Sequence, residues 1–329
     1  MPVLLSLAMG AILGFSAHRA GLCTVKAVAE VLTSRRGRFL WSFAKSAAWV
    51  MATTALVGAL GAGIDYTHWP FTAASVAGGV LFGVGAGING GCTFSTLSRT
   101  MDGNLAVLGA VACWPLGMLA ALLLPLPPIY PVRGAHSALP FWLLLPLGLW
   151  LLWEGLAIVR RLRRAGTLRR ALGAPVYTLS AAAALVGLSN AVLLEASGPW
   201  SFTGAILCGI GADKLARCDR PALPCLIVLA ALAGMAASAW QRGSFAMRRP
   251  RLRPTLRHAT GGFLMGAGAT LIPGGNDGLI LFGIPSLSPH AVPAYLALLL
   301  GILATLMTMR ALGRTIPPVL CEGDICRSL

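Results

Sequence analysis

Two cysteines recur in one context: Gly21-Leu22-Cys23-Thr24 and Gly90-Gly91-Cys92-Thr93. A thiol is small, polarizable and a weak donor, so it suits a soft, sulfur-containing ligand better than a hard oxyanion. Arg19 lies four residues before Cys23 and Lys26 three after it. Ionisable groups at membrane depth are costly and mark functional positions. With helix N-termini beside them, these two cations would draw an anion; the alternative is that both side chains snorkel to an interface. In the second half of the chain the corresponding stretch reads Pro273-Gly274-Gly275-Asn276-Asp277-Gly278. Thr24, Thr93 and Asn276 supply hydrogen-bond donors. Asp277 caps the helix that follows it, or else Glu195 or Asp277 binds a coupling proton.

These residues fall in interrupted apolar segments, roughly 2–33, 72–100, 178–212 and 259–284. Five other stretches are unbroken and long enough to span a ~30 Å hydrocarbon core: 40–64, 105–125, 139–159, 221–240 and 291–309. The interrupted segments look like copies of one unit. Gly10-x-x-x-Gly14 precedes Cys23 by nine residues, and Gly79-x-x-x-Gly83 precedes Cys92 by nine. Gly262-x-x-x-Gly266 leads at the same offset to Gly275, and a weaker copy around Gly187 breaks at Glu195-Ala196-Ser197-Gly198-Pro199. A lone GxxxG means only close helix packing; its recurrence at one fixed offset means a repeat.

Composition narrows the class. Of 329 residues, 57% are hydrophobic and 11% charged, against roughly 25% charged in an ordinary soluble domain. Mean hydropathy is +0.77. These values exclude a soluble enzyme, a disordered tail and a small disulfide scaffold. The formal charge of +16 marks topology rather than nucleic-acid binding, because it lies in short clusters between apolar runs. With 34–38 cytoplasmic, that face gathers 160–170, 241–258, the tail from 310 and Arg99, which together hold 19 of the 26 lysines and arginines. The opposite loops hold Arg133, Lys214, Arg217 and Arg220. The apolar N-terminus has no basic region and is expected to remain in the mature chain.

This orientation makes the first two interrupted segments run outside to inside and the last two inside to outside. Segment 139–159 is the odd connector that inverts the second half. Inverted repeats with discontinuous helices are a recurring transporter design, with the substrate site at the breaks.

At these motifs the chain resembles the YeeE/YedE sulfur-transport family, whose characterised members are thiosulfate permeases. The likeness rests on Gly21-Leu22-Cys23-Thr24, on Gly90-Gly91-Cys92-Thr93, and on the Pro273 to Gly278 stretch continuing to Phe282-Gly283-Ile284-Pro285. It spans essentially the whole chain. It implies that Cys23 and Cys92 relay thiosulfate by successive thiol contacts. One departure is plain: permeases with a three-cysteine relay carry the third in the second half, where this chain reads Gly275-Asn276.

The expected molecule is an all-α polytopic membrane protein of about nine segments, in two inverted halves with four broken helices. It forms one transport domain: 1–126, a connecting helix at 139–159, an inverted half at 175–310 and a cytoplasmic tail at 311–329. The expected function is import of a small sulfur anion, most of all thiosulfate, through the inner membrane. The site comprises Cys23, Cys92, Lys26, Arg19, Thr24, Thr93, Gly91, Gly275, Asn276 and Asp277. No metal or cofactor is expected, nor an enzyme, and no phosphate-binding Gly-Lys loop is present. The partners are the lipid bilayer and a cytoplasmic sulfur carrier. The rival reading is a thiol-disulfide conductor passing reducing equivalents between Cys23 and Cys92. Cys321 and Cys326 are left open as sulfur acceptors, metal ligands or inert thiols, as is pairing of Cys208 with Cys218.

Overall fold

The computed structural model describes residues 2–59, 67–125, 132–133, 141–164, 170, 172–211, 222–316 and 318–328. Cys218, Lys214, Arg217 and Arg220 lie outside them. Helices dominate: α1 (Pro2–Ala20), α2 (Thr24–Ser34), α3 (Arg38–Ala59), α4 (Ala73–Asn89), α5 (Thr93–Met101), α6 (Leu108–Leu122) and α7 (Phe141–Arg164). The chain continues through α8 (Leu179–Ser197), α9 (Phe202–Gly209), α10 (Ala222–Arg242), α11 (Leu252–Leu271), the short α12 (Gly275–Gly278) and α13 (Ala291–Ala311). Two small antiparallel strand pairs, β1 (Thr67–His68) with β2 (Val132–Arg133) and the hairpin of β3 (Val319–Glu322) with β4 (Ile325–Ser328), are the sheet content among the described residues.

Seven helical segments are long and apolar enough to cross a membrane, counting Pro2–Ser34, Ala73–Met101 and Leu179–Gly209 as one each. Helices α3 and α11 match them in length but not in apolarity, carrying Arg38 and Lys45, and Arg253 and Arg257. Seven of the nine anticipated segments therefore meet the test of length and hydropathy. Interruption does not fall at mid-segment. Helix α1 has 19 residues, which at 1.5 Å per residue is about 28 Å, nearly a full crossing. The short piece follows the break.

Lipid tails are as apolar as leucine, so close packing of small residues decides which helices meet. Each GxxxG face packs on an unbroken helix from the other half of the chain. Gly10 and Gly14 of α1 lie on Ile227 and Ala231 of α10; Gly79 and Gly83 of α4 lie on Ala294 and Leu298 of α13. In return, Gly262 and Gly266 of α11 lie on Ala110 and Trp114 of α6, and Gly187 of α8 packs on Ser46 and Trp49 of α3. At Gly14, Gly83, Gly262 and Gly266 a Cβ would overlap the partner's backbone carbonyl. The halves are thus interlocked, with α1 also against α8 and α4 against α11.

A polar knot ties the end of α1 to this frame. His18 Nε2 donates to Asp102 Oδ1 (3.1 Å), and His18 Nδ1 meets Ser238 Oγ at 2.8 Å. Ser244 Oγ donates to the same Asp102 oxygen at 2.5 Å. Burial alone would push the Asp102 carboxyl up, but the hydrogen bonds from His18 and Ser244 outweigh it and hold the group below the ordinary carboxylate range. A depressed folded value contributes stability that is present above the unfolded value, near 3.9, and lost as pH falls through the folded one. Melting of the purified protein in detergent is therefore expected to soften below about pH 4, and less so in Asp102→Asn. An identical acid limb in both proteins would contradict this.

The tail is a folded hairpin closed by a Cys321–Cys326 disulfide. Cys321 Sγ lies 3.2 Å from Oε1 of the buried Glu30 in α2, whose carboxylate also accepts the amides of Arg38 and Phe39. Asp324 accepts the amides of Leu179 and Ser180 and pairs with Arg161 at 2.6 Å. The hairpin bridges α2 to the start of α8. Glu30, Cys321 and Cys326 bring their three potential ligand atoms within 4.8 Å of one another.

Candidate functional site

The two cysteine turns share one construction. At the end of α1, Gly21 N donates to His18 O and Leu22 N to Ala17 O. At the end of α4, Gly90 N donates to Gly87 O and Gly91 N to Ala86 O. Both pairs form the Schellman cap, which needs a left-handed residue, and the glycines supply it at φ 61° and 71°. The first glycine of each G-x-C-T motif is therefore the helix stop. Two residues later the cysteine, in extended backbone, becomes the N-cap of the next helix.

Cysteine is a poor cap, and neither thiol caps its own helix. Instead the Thr24 amide at the head of α2 donates to Cys92 Sγ at 3.3 Å, so one turn caps the other. Both thiols are fully buried, lie against each other and are unbonded. Cys113 and Cys225, the other free cysteines among the described residues, sit in the unbroken α6 and α10.

The second half closes the cluster. Thr24 Oγ1 donates to Asn276 Oδ1 at 3.0 Å. Asp277 Oδ1 accepts from Thr93 Oγ1 (3.3 Å) and Thr203 Oγ1 (3.4 Å), while Oδ2 accepts the Phe202 amide at 2.7 Å. Asp277 thus accepts the first amide of α9, whose N-cap is Ser201, instead of capping the helix that follows it, and joins three of the turns between helices. Glu195, the alternative proton-binding acid, is exposed on α8.

Gly275 lies nine residues after Gly266, the offset that separates Cys23 from Gly14 and Cys92 from Gly83, and the reason no side chain stands there is local. Its φ is 62°, and a Cβ would come 2.6 Å from Thr203 Oγ1. Gly275→Cys is expected to cost about 1–2 kcal/mol for the left-handed backbone alone, with a further loss from the overlap. Thermal melts should show Thr203→Ala recovering the second part only; no recovery would refute the steric account.

Each cysteine turn carries a cation. Lys26 Nζ stands 3.5 Å from where a Gly21 Cβ would be. Arg99, two turns along α5, reaches back over Gly91, a terminal nitrogen 2.7 Å from the corresponding point. Arg99 donates at 3.3 Å to Ser95 O and Asn89 O. Neither cation has a carboxylate at ion-pair distance among the described residues. Arg99 read from the sequence as a topology marker; its i+7 spacing from Cys92 places it on the cysteine's own face, a signal that was legible and unused.

Arg19 is built differently. Its donors go to Ser238 Oγ, Gly173 O, Ala174 O and Gln241 Oε1, and its guanidinium lies 4.8 Å from the Phe15 ring centroid. These contacts tie α1 to α10 and to the segment before α8, and the structure does not bring Arg19 to the thiols. It does bring together Cys23, Cys92, Lys26, Thr24, Thr93, Gly91, Gly275, Asn276 and Asp277. Cys208 is disulfide-bonded.

A family model described as Sulphur transport matches residues 19–304, a span that contains every residue of this cluster. No curated protein matches the chain significantly.

Proposed function

The chain belongs to the YeeE/YedE sulphur-transport family, and from that premise we propose a cytoplasmic-membrane permease that imports a small sulfur anion, most of all thiosulfate. Its nine segments form two inverted halves, and the substrate passes between four helix breaks. The observation that carries this reading is the pair of buried thiols, each on a turn covered by a cation without an acid partner. Lys26 and Arg99 supply the positive potential. Cys23 and Cys92 make successive weak S–H contacts with the terminal sulfur. Asn276 offers its side-chain nitrogen to oxygens, while the Thr24 and Thr93 hydroxyls, which donate to Asn276 and Asp277, hold those side chains in place. A cytoplasmic sulfur carrier takes the anion onward, and no chemical step on the protein is required.

Contact between two free thiols also favours the rival, a thiol-disulfide conductor. The test is uptake of radiolabelled thiosulfate by cells lacking their own permeases. Saturable uptake is expected from the wild type. No uptake, with a Cys23–Cys92 disulfide trapped by mild oxidant, would replace transport of an anion with transport of electrons.

A further inference from the structure

A buried carboxylate and two cysteines from opposite ends of the chain meet beneath the tail hairpin. Glu30 of α2 is fully buried and has no cation at ion-pair distance among the described residues. Its oxygens accept the Arg38 and Phe39 amides, which leaves part of their acceptor capacity unused. Oε1 also faces Cys321 Sγ at 3.2 Å. A bonded sulfur has no proton to donate, so this contact asks for a thiol hydrogen or a cation. Buried charges are paired or coordinate a metal, because an isolated one is costly.

Strand register brings in the second sulfur. Cys321 and Cys326 are direct partners across β3 and β4, so both side chains leave the hairpin on one face. Val319 and Cys321 turn inward, Leu320 and Glu322 outward. Glu30 and Cys321 are 291 residues apart, which hides the cluster from any local pattern.

We propose that, once the disulfide is reduced, Glu30, Cys321 and Cys326 bind one zinc ion that fastens the tail hairpin to α2. A cytoplasmic dithiol gives two electrons and two protons to the disulfide and leaves as its own disulfide. Zinc then displaces both thiol protons and takes the Glu30 carboxylate as third ligand. Zinc holds thiolate at about 2.3 Å and carboxylate at about 2.0–2.2 Å. Tetrahedral ligands at those lengths stand roughly 3.6–3.8 Å apart, inside the 4.8 Å span that the three atoms already occupy. Three anionic ligands leave one negative charge over, and Arg36 and Arg38, at 3.5 and 3.4 Å from the Cys321 carbonyl, balance it. In the orientation of the transport reading this arginine-rich face is cytoplasmic, where thiols are kept reduced. Zinc and the disulfide exclude each other, and either one holds the hairpin in place.

The experiment uses the full chain in detergent, reduced with a phosphine, loaded with zinc and freed of excess. Elemental analysis should find one zinc per chain, and none in the oxidised protein. Cys321→Ser with Cys326→Ser should remove the ion. Glu30→Gln keeps an oxygen for the Phe39 amide and should raise the zinc Kd at least about tenfold, since loss of even a supporting group costs that much. In the wild type, zinc should shield Cys321 and Cys326 from alkylation, and their full labelling in loaded protein would overturn the site without any variant. A reduced wild type without zinc overturns it too, as does zinc retained by the double-serine protein, which places the ion at other thiols. A Glu30→Gln Kd within twofold of wild type removes the carboxylate and with it the proposed site. None of these outcomes depends on which anion is carried.

Discussion

Cys92→Ala is expected to lower thiosulfate uptake roughly 10- to 100-fold, the range for losing a hydrogen bond to a charged ligand. It should also destabilise the protein, because Cys92 has two tasks. Its sulfur accepts the Thr24 amide at the head of α2, and loss of a helix cap costs about 1 kcal/mol. Cys92→Ser separates the two. A serine hydroxyl accepts the amide at least as well, so the melting temperature should return, but a hard oxygen does not replace a polarizable sulfur and uptake should remain low. Cys23→Ser should lower uptake without affecting stability, since the Cys23 thiol caps no helix. Full uptake in both serine variants would remove the thiols from the path.

The largest stability effect is expected at a pair outside the site. Lys45 of α3 and Glu154 of α7 lie 2.5 Å apart at side-chain exposures of 11% and 3%, and Lys45 also donates to Ser180 at 2.8 Å. A pair so buried contributes little over apolar residues of the same volume, but removing one partner strands the other charge and costs about 3–5 kcal/mol. Glu154→Ala or Lys45→Ala alone should therefore lower the melting temperature by several degrees. Lys45→Met with Glu154→Leu should restore most of it, and the double-mutant cycle reads the coupling directly. Helix α7 is otherwise lightly packed, its outer face including Trp142, Leu149 and Trp153 exposed. Additive losses would mean that the pair is solvated and holds nothing.

Much of the molecule was legible in the chain. The unbroken runs became α3, α6, α7, α10 and α13 within a few residues of their expected ends, since a run of apolar residues at this length has few alternatives to a helix in lipid. The glycine of each G-x-C-T motif fell where the helix stops, because only a residue free of Cβ adopts the left-handed cap without penalty. The repeat offset located Asn276 and Asp277 beside the cysteine turns. Residue type alone does not separate Arg19 from Arg99, since both are arginines near a cysteine; the i+7 spacing of Arg99 puts it on the face of Cys92, but the carbonyls and the aromatic face that hold Arg19 elsewhere exist only once the helices have packed.

From sequence alone came the class, the apolar helices and the thiols that mark two of the turns between them. Tertiary structure alone decided who packs on whom and which groups remain unpaired. A GxxxG face specifies a surface that accepts close approach, not its partner, and three such faces with a fourth, weaker one at Gly187 admit many pairings. The fold chooses the one in which each broken helix seats on an unbroken helix of the opposite half, drawing all four breaks to one centre. There Asp277 caps a helix distant in sequence and Thr24 borrows the sulfur of the other repeat. Hydrogen bonds of that kind depend on positions in space to within an ångström, and no local pattern of residues encodes them.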